Sequence, residues 1–303
     1  MIYSKDFTVI IPHRNSIRFL PKLFASIPVS DRIEVILVDN SPVPVTKEEI
    51  GIDRDYILIY SAPERGAGGA RNEGIQYAHG KWLLFADADD FYSADAFDVY
   101  YSKFDSDAEI IYTGMGGVYE ETGKPSDRGD KYARLVHKYI TGEIEEKKLR
   151  LGFASPCCKM VSHDLVKRHQ LKYDEVVASN DIYFSLLSGF YAKSIDAVDK
   201  ITYIATVSRG SLTRRRDLAV VESRFRVKLR CNKFLKDNGL SQYQGSVMVF
   251  CNQALKIGVI PLFRFLLLLV QYRQNPFIGC SRWLDSYKRE KIRNDNEAQY
   301  IIH

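Results

Sequence analysis

Trp82–Asp90, WLLFADADD, is the stretch that decides the fold class of this 303-residue chain. Its apolar residues end abruptly at a group of acids, as is typical of a buried strand that stops at the edge of a sheet. Similar apolar runs precede it at Phe7–Ile11, Glu34–Val38 and Tyr56–Tyr60, and a fifth follows at Glu109–Thr113. Helical patterns lie between the first two runs and between the third and fourth, which indicates βαβ units. The sequence therefore predicts an α/β fold, with a Rossmann-like, mostly parallel sheet flanked by helices.

The second half of the chain predicts a more varied set of elements. We expect a polar loop and a surface helix over residues 120–150, a segment at Ser155–Val161, a helix from about Asn180 to Tyr191, a strand at Ile201–Val207 and a basic amphipathic helix over residues 217–238. This organisation predicts a domain over residues 1–210, whose halves meet near residue 115, and a helical C-terminal region over residues 211–303. Ile257–Tyr272 is too short to span a bilayer. A buried helix or hairpin and a contact with a membrane surface both fit this apolar segment.

Charge is distributed unevenly along the chain. Residues 209–303 contain 18 basic and 7 acidic residues, whereas residues 1–208 contain 25 basic and 31 acidic residues. A basic C-terminal third suits an anionic membrane surface or a phosphate-bearing acceptor. A solvated basic face without a ligand is the alternative, and no nucleic acid is predicted as a partner.

Cysteine usage and the N-terminus predict the compartment. The five cysteines are odd in number and have no CxxC spacing, which favours reduced thiols in the cytosol. The first residues lead into the apolar run at Phe7 without the regions that mark a secretory signal. We therefore expect a cytoplasmic protein, with peripheral contact to the inner membrane face as the hypothesis for its basic region. No two of the six histidines form a ligand pair, so no zinc site is predicted.

Acidic residues follow two of the predicted strands, at the edge where parallel α/β sheets bind their ligands. Asp39 ends the second strand, and Asp87 and Asp89 follow the fourth. Because residues two apart in an extended segment point to one side, Asp87 and Asp89 suit Mg²⁺ or Mn²⁺, with substrate phosphates completing the shell. Capping of the next helix by Asp89, Asp90 or Ser93 is the structural alternative.

The glycine-rich stretch Gly66–Gly74, GAGGARNEG, follows the third strand and predicts an anion site. Glycines allow a ligand to approach the backbone, and the N-terminus of the following helix offers N–H groups to a phosphate. Arg71 adds a planar fork suited to phosphate oxygens. A tight turn with a surface arginine is the structural alternative. An NAD-binding fingerprint is disfavoured, because Arg71 occupies the position of its third glycine.

Four segments together resemble the inverting glycosyltransferases of family 2, which have the GT-A fold. They are FTVIIPHRN at Phe7–Asn15, VDNS at Val38–Ser41, GAGGARNEG at Gly66–Gly74 and FADADD at Phe85–Asp90. Their order and spacing match the family over about residues 7–105. Further on, Ser179–Phe184 is similar to the family's Glu-Asp-x-x-Phe region, and Arg209–Thr213 is similar to a segment that closes over the donor.

The resemblance implies a nucleotide-sugar site and a role for each residue in it. It implies that Asp39 accepts a hydrogen bond from uracil, so that the donor is UDP-linked, with dTDP less favoured. It implies that Asp89 is the direct ligand of Mn²⁺ or Mg²⁺ and that Asp87 binds the ribose or a water on the metal. Asp90 is more often structural in the family. The other donor-binding residues that it implies are Pro12, Asn15, Gly66, Arg71, Ala88 and Arg209. The implied acceptor is a saccharide or lipid-linked saccharide in the synthesis of cell-surface polysaccharide or lipopolysaccharide.

Asp181 is the candidate general base within the similar region. Breaking the anomeric C–O bond builds negative charge on the diphosphate, and the attacking hydroxyl loses a proton that a carboxylate can accept. Asn180 stands where the family usually has glutamate, and a helix N-cap is the structural alternative for Asp181. Lys159 and Arg209 are candidates for contact with the acceptor or the diphosphate, with a surface salt bridge as the alternative for each.

Two other functions compete with sugar transfer. A sugar nucleotidyltransferase shares the sheet architecture but usually carries a glycine-rich loop directly after its first strand, where this chain has Pro12–Asn15 without glycine. A non-catalytic nucleotide-binding subunit would keep the pocket without the chemistry. The sequence favours the glycosyltransferase, and metal-dependent binding of UDP is the property that would distinguish it.

Overall fold

The computed structural model describes residues 3–208 and 215–278. The chain divides into two compact units, Met1–Thr213 and Arg214–His303. The described part of the first unit contains eight strands, namely β1 (Lys5–His13), β2 (Ile33–Asp39), β3 (Ile57–Tyr60), β4 (Gly80–Phe85), β5 (Phe91–Tyr92), β6 (Ile110–Tyr119), β7 (Lys159–Ser162) and β8 (Ile195–Val207).

These strands form one sheet in the order β3-β2-β1-β4-β7-β6-β8-β5. The first four in this order are mutually parallel, which confirms the predicted βαβ units. Two antiparallel insertions modify the pattern. Strand β7 lies antiparallel between β4 and β6, and the two-residue β5 pairs antiparallel with β8 at the edge. Strands β6 and β8 are parallel to one another. The α/β class is therefore confirmed, with a mixed second half.

The central strands are buried along almost their whole length. Every residue of β2 and the last seven residues of β1 are buried, as expected for parallel strands covered on both faces. Strand β3 lies at the edge of the sheet and is partly exposed, with Tyr60 at 53%. The core of the unit therefore lies around β1, β2 and β4, whose carboxyl ends it holds in fixed positions.

Eight helices connect these strands in the described part of the first unit. They are α1 (Leu20–Ala25), α2 (Lys47–Ile50), α3 (Gly66–Tyr77), α4 (Ala96–Ser102), α5 (Asp130–Ile140), α6 (Glu146–Gly152), α7 (His163–Arg168) and α8 (Ile182–Tyr191). The predicted surface helix within residues 120–150 is in fact a pair, α5 and α6. Helix α8 begins two residues after the predicted start, with Asp181 at its N-cap position.

The second unit contains three helices in its described part, namely α9 (Leu218–Asp237), α10 (Met248–Ile257) and α11 (Val259–Gln271). They enclose a small core in which the rings of Phe225 and Phe265 stack 4.5 Å apart. Ile257–Tyr272 is therefore mainly helical, but only Phe265, Leu268 and Leu269 of α11 are buried. None of the helices in the described residues is both long and apolar enough to cross a membrane.

Candidate active site

The carboxyl ends of β2, β1 and β4 lie side by side at one edge of the sheet. His13 at the end of β1 is in register with Asp39 at the end of β2, and Asp87 follows the end of β4 by two residues. Because β1 separates the other two strands, the ends of β2 and β4 are about two strand spacings, or ~10 Å, apart across the sheet. The predicted acids therefore occupy a common edge.

Asp39 is buried and held in one orientation by four hydrogen bonds. Its Oδ1 accepts from His13 Nδ1 at 2.8 Å, from Ser41 Oγ at 2.6 Å and from the Ser41 backbone N–H at 3.1 Å, and its Oδ2 accepts from the Val45 N–H at 3.0 Å. Burial disfavours the charged form, but these hydrogen bonds outweigh it and hold the pKa of Asp39 below its ordinary value. Asp39 is thus an ionised acceptor with a fixed geometry.

The loop after β1 is tied to the same acid. Pro12 is buried in the strand, whereas Asn15 is exposed and has a left-handed backbone, with φ of 51°. The Asn15 N–H donates to Ser41 Oγ at 2.9 Å, which in turn donates to Asp39. The structure therefore places Pro12 and Asn15 beside Asp39.

Asp87, Ala88 and Asp89 form a turn directly after β4. Ala88 is buried, and the side chains of Asp87 and Asp89 are partly exposed. Burial, followed by the negative charge of Asp87, raises the pKa of Asp89 to about 6. Asp87 and Asp89 are neighbouring carboxylates, and the charged form of Asp89 is disfavoured. A bound cation would stabilise the charged form of both.

Asp90 has a structural role, as the resemblance to the family implies. The carboxylate accepts from Tyr203 Oη at 3.0 Å and from the Thr206 N–H at 2.7 Å, both on β8. Tyr203 Oη also accepts from the Asp87 N–H at 2.8 Å. Burial raises the pKa of Asp90 well above its ordinary value. Tyr203, which sequence reasoning did not identify, therefore fixes the acidic turn to β8.

Arg71 is the side chain that joins the separate segments of the site. It is 4% exposed, forms an ion pair with Asp87 and donates from Nη1 to Asn180 Oδ1 at 2.8 Å. Burial alone would lower the pKa of Arg71, but the neighbouring acids, chiefly Asp87, raise it, so the guanidinium stays charged. Arg71 therefore connects α3, the acidic turn and the N-terminus of α8. The alternative of a surface arginine is wrong.

The glycine-rich stretch differs from its predicted form. Helix α3 begins at Gly66, so the glycines form its first turn rather than a loop before it. A side chain at position 68 would overlap the backbone carbonyl of Asp174, and one at position 74 would overlap Ile10. Gly68 and Gly74 are thus required for internal packing, whereas Gly66 has a positive φ of 59° and no close neighbour.

Asp181 lies at the N-cap position of α8, directly after the residue that binds Arg71. Its side chain makes no capping hydrogen bond, so the structure gives no support to the alternative of a helix cap. Burial raises the pKa of Asp181, and the positive charge of Arg71 offsets part of this effect. A partly exposed carboxylate with a raised pKa suits a general base.

The structure tests the prediction for Lys159 but not the one for Arg209. Lys159 is 1% exposed and its Nζ donates to Ser185 Oγ at 3.0 Å, so a surface salt bridge is wrong for this residue. Burial lowers its pKa to about 8. Arg209 lies outside the described residues, as does the rest of the predicted closing segment up to Thr213.

Two buried donors of the site lack a hydrogen-bond partner within the part of the chain that the structure describes. They are Arg71 Nε and Asn40 Nδ2, in side chains that are 4% and 2% exposed. Buried polar atoms of native proteins are almost always paired, so an unpaired donor beside a predicted anion site is a candidate contact for a ligand oxygen. Sequence reasoning missed Asn40, although it lies next to Asp39.

A divalent cation fits this donor set only if a substrate supplies further oxygens. Among residues 3–208 and 215–278, no group of three or more His, Cys, Asp or Glu side chains is arranged to hold a metal ion. The turn after β4 provides two carboxylates, those of Asp87 and Asp89. Mg²⁺ and Mn²⁺ commonly bind through one or two carboxylates plus phosphate oxygens.

The model of a known protein family, described as Glycosyl transferase family 2, matches residues 8–170, more than half of the chain. This chain belongs to glycosyltransferase family 2. The matched region includes most of β1 and all of β2 and β4, together with Asp39, Arg71 and Asp89, and it ends before Asp181.

Individual relatives support the same assignment. The chain is 25% identical to EpsH of Bacillus subtilis strain 168 over 73% of its own length and 66% of that protein's length. It is also 25% identical to the succinoglycan biosynthesis protein ExoW of Rhizobium meliloti strain 1021, over 58% of this chain and 61% of that protein. The chain thus spans a little under two thirds of the length of these curated relatives.

Solved structures share the fold. TarS from Staphylococcus aureus in complex with UDP-GlcNAc matches with a TM-score of 0.59 at 19% identity, over 84% of this chain and 73% of that chain. The mannosyltransferase PcManGT from Pyrobaculum calidifontis, in complex with GDP-Man and Mn²⁺, matches with a TM-score of 0.52 at 17% identity, over 89% and 83%. The predicted GT-A fold is confirmed.

Proposed function

We propose that the chain is a metal-dependent inverting glycosyltransferase that moves a sugar from a UDP-sugar to a hydroxyl of a saccharide or lipid-linked saccharide in cell-surface polysaccharide synthesis. One observation carries this proposal. Arg71 contacts both Asp87 and Asn180, which brings the acidic turn, the N-terminus of α3 and the segment of Asp181 to the sheet edge that also bears Asp39. This proximity supports a donor site and a base at one place on the sheet edge.

This geometry supports a set of donor-binding residues. Asp39 accepts the N3–H of uracil, because it is ionised and acceptor-only, and Pro12 and Asn15 line the nucleotide pocket. The diphosphate lies by Gly66, Arg71 and Ala88. The complexes of TarS with UDP-GlcNAc and of PcManGT with GDP-Man support a nucleotide-sugar donor on this fold.

Asp89 and Asp87 are the residues that hold Mn²⁺ or Mg²⁺, together with the donor diphosphate. When bound, the cation acts as a Lewis acid that stabilises charge on the departing diphosphate. PcManGT was solved with Mn²⁺. Arg71 holds Asp87 in place through its ion pair, and Tyr203 holds the backbone of the same turn.

Asp181 accepts the proton of the attacking hydroxyl. Inversion requires attack from the face opposite the leaving group, so the base must lie across the sugar from the diphosphate. Asp181 begins a different helix from the donor loops but stays next to them through Asn180. Its raised pKa makes it a stronger base than an exposed aspartate.

The first experiment is a panel of nucleotide sugars screened for release of UDP, with Mn²⁺, with Mg²⁺ and with a chelator. We expect release from at least one UDP-sugar that depends on the metal and on an added acceptor. Pyrophosphate release from UTP and a sugar phosphate would instead identify a sugar nucleotidyltransferase. Binding of UDP without turnover of any donor would support the non-catalytic subunit.

We also propose that the second unit binds an anionic membrane surface, at the cytoplasmic face where a lipid-linked acceptor would lie. Helix α11 exposes one apolar face, with Ile260 at 84% and Val270 at 75%. The exposed apolar residues of this helix are Val259, Ile260, Phe263, Leu266, Leu267 and Val270. Residues 215–278 contain 11 basic and 3 acidic residues, and each of the three acids is paired with an arginine or a lysine. An apolar helix face with a cationic surplus is the pattern of interfacial membrane binding.

Flotation with vesicles tests this surface. Binding to phosphatidylcholine vesicles that contain phosphatidylglycerol is expected, and serine at positions 260, 263 and 270 is expected to weaken it by at least about tenfold. Serine at Val29 and Val43, which are 82% and 77% exposed in the first unit, is the matched control and should not change binding. The proposal would be contradicted if the protein did not float with these vesicles. It would also be contradicted if the wild-type protein were a dimer that the triple variant dissociates, since the apolar face would then be a contact between two copies of the chain.

A further inference from the structure

His13 makes two hydrogen bonds that together define its protonation. The ring is fully buried, at 0% exposure. Nε2 accepts from the Ser16 backbone N–H at 3.1 Å, so it carries no proton. Nδ1 lies 2.8 Å from Asp39 Oδ1 and therefore donates to the carboxylate. The ring is thus a neutral imidazole with its hydrogen on Nδ1, fixed at both nitrogens.

The contacts of Asp39 leave one acceptor position open. A carboxylate has about four acceptor positions, and Oδ1 already accepts from His13 and twice from Ser41. Among the residues that the structure describes, Oδ2 accepts from the Val45 N–H alone. The open position is therefore on Oδ2, and rotation of the carboxylate about its bond would exchange it with the saturated oxygen.

We propose that His13 is the positioning residue that makes Asp39 selective for uracil, an inference that rests on the proposed role of Asp39. By holding Oδ1, His13 keeps the open acceptor of Oδ2 available to a base. Uracil presents N3–H to that acceptor, whereas cytosine presents a lone pair at N3 and is repelled. Without His13, Oδ1 would keep only its two hydrogen bonds from Ser41. The carboxylate would then be held less firmly, and part of this discrimination would be lost.

The test compares the affinities of UDP and CDP, by calorimetry with Mn²⁺, in His13→Phe, His13→Asn and His13→Gln. Phenylalanine fills the space without a donor. Asparagine places an amide N–H close to the position of Nδ1, whereas glutamine places it nearer to Nε2. We expect about tenfold or more loss of UDP affinity and of the UDP-to-CDP ratio in the Phe and Gln variants, because a hydrogen bond to a charged group is lost. The Asn variant should stay within about threefold of the wild type.

Asp39→Asn separates this inference from the function on which it rests. If the Asp39 variant keeps the wild-type ratio of UDP to CDP affinity, the proposed role of Asp39 is wrong. If it abolishes that ratio while His13→Phe preserves it, the role of Asp39 stands and the inference about His13 is overturned. A loss of affinity equal for both nucleotides in His13→Phe would mark a general structural defect and also overturn it.

Ring ¹⁵N spectra of the wild-type protein provide a readout that does not depend on a variant that folds poorly. The signal of His13, assigned by its absence in His13→Asn, is expected to show a proton on Nδ1 and none on Nε2. A proton on Nε2 would contradict the donation to Asp39 and would overturn the inference.

Discussion

Replacing Asp89 with alanine is expected to abolish metal-dependent UDP binding and to lower sugar transfer by about 10²–10⁴-fold. The magnitude follows from the several kcal/mol that a divalent cation supplies to a developing charge. Asp87 alone would leave the cation a single protein carboxylate, and this carboxylate also pairs with Arg71. Calorimetry of UDP with Mn²⁺ and with a chelator, together with rates of UDP release, measures both effects.

Asp98→Ala is the matched control for Asp89→Ala. Asp98 is an exposed carboxylate on α4, nine residues further along the chain, and its loss should change neither binding nor rate appreciably.

In the absence of metal, Asp89→Ala should unfold at the same temperature as the wild-type protein or at a higher one. Burial raises the pKa of Asp89 to about 6 in the folded state, so its charge near pH 7 is unfavourable to folding. Metal-dependent UDP binding unchanged by Asp89→Ala would refute the assignment of the metal ligand.

Asp181→Asn is expected to lower kcat by about 10²–10⁴-fold while the affinity for UDP stays the same. The amide keeps the shape of the side chain but cannot accept the proton. Asparagine is also an effective N-cap, so any capping function would survive the change. In the wild-type enzyme the rate should fall as pH drops through the raised pKa of Asp181, since the base must be ionised. That limb of the pH profile should disappear in the variant.

Glu175→Gln provides the same acid-to-amide change outside the site. Glu175 lies six residues before Asp181 and forms a partly exposed ion pair with Arg65, which contributes little to stability. We expect a wild-type rate for this control. If Asp181→Asn transferred sugar at nearly the wild-type rate, as Glu175→Gln is expected to do, a residue other than Asp181 would have to be the general base.

The strand ends were predictable because buried parallel strands require a continuous run of apolar residues, which is visible in the local sequence. Runs such as Phe7–Ile11 and Trp82–Ala86 are apolar throughout, and polar residues follow directly after them. Chain order alone then places the ends of β1, β2 and β4 at one edge. The antiparallel β7 was not predictable as such, since a four-residue strand carries no sign of its direction or its neighbours.

The contacts within the site came from the tertiary structure. Arg71 pairs with Asp87, 16 residues away, and with Asn180, 109 residues away. The glycine-rich motif suggested that Arg71 is free to bind a phosphate, but it gave no indication that the guanidinium group is buried. The burial of Lys159 against α8 was likewise seen only in the tertiary structure. The sequence of its four-residue strand does not indicate which helix packs against it.

The sequence by itself determined the α/β class, the family and the acids at the strand ends, because these depend on local hydrophobic pattern and on motif order. Only the tertiary structure decided the partners of Arg71, the donation from His13 to Asp39 and the face of α11 that is exposed. These features depend on distances between segments far apart in the chain, which packing of the whole unit sets. No local propensity encodes such distances.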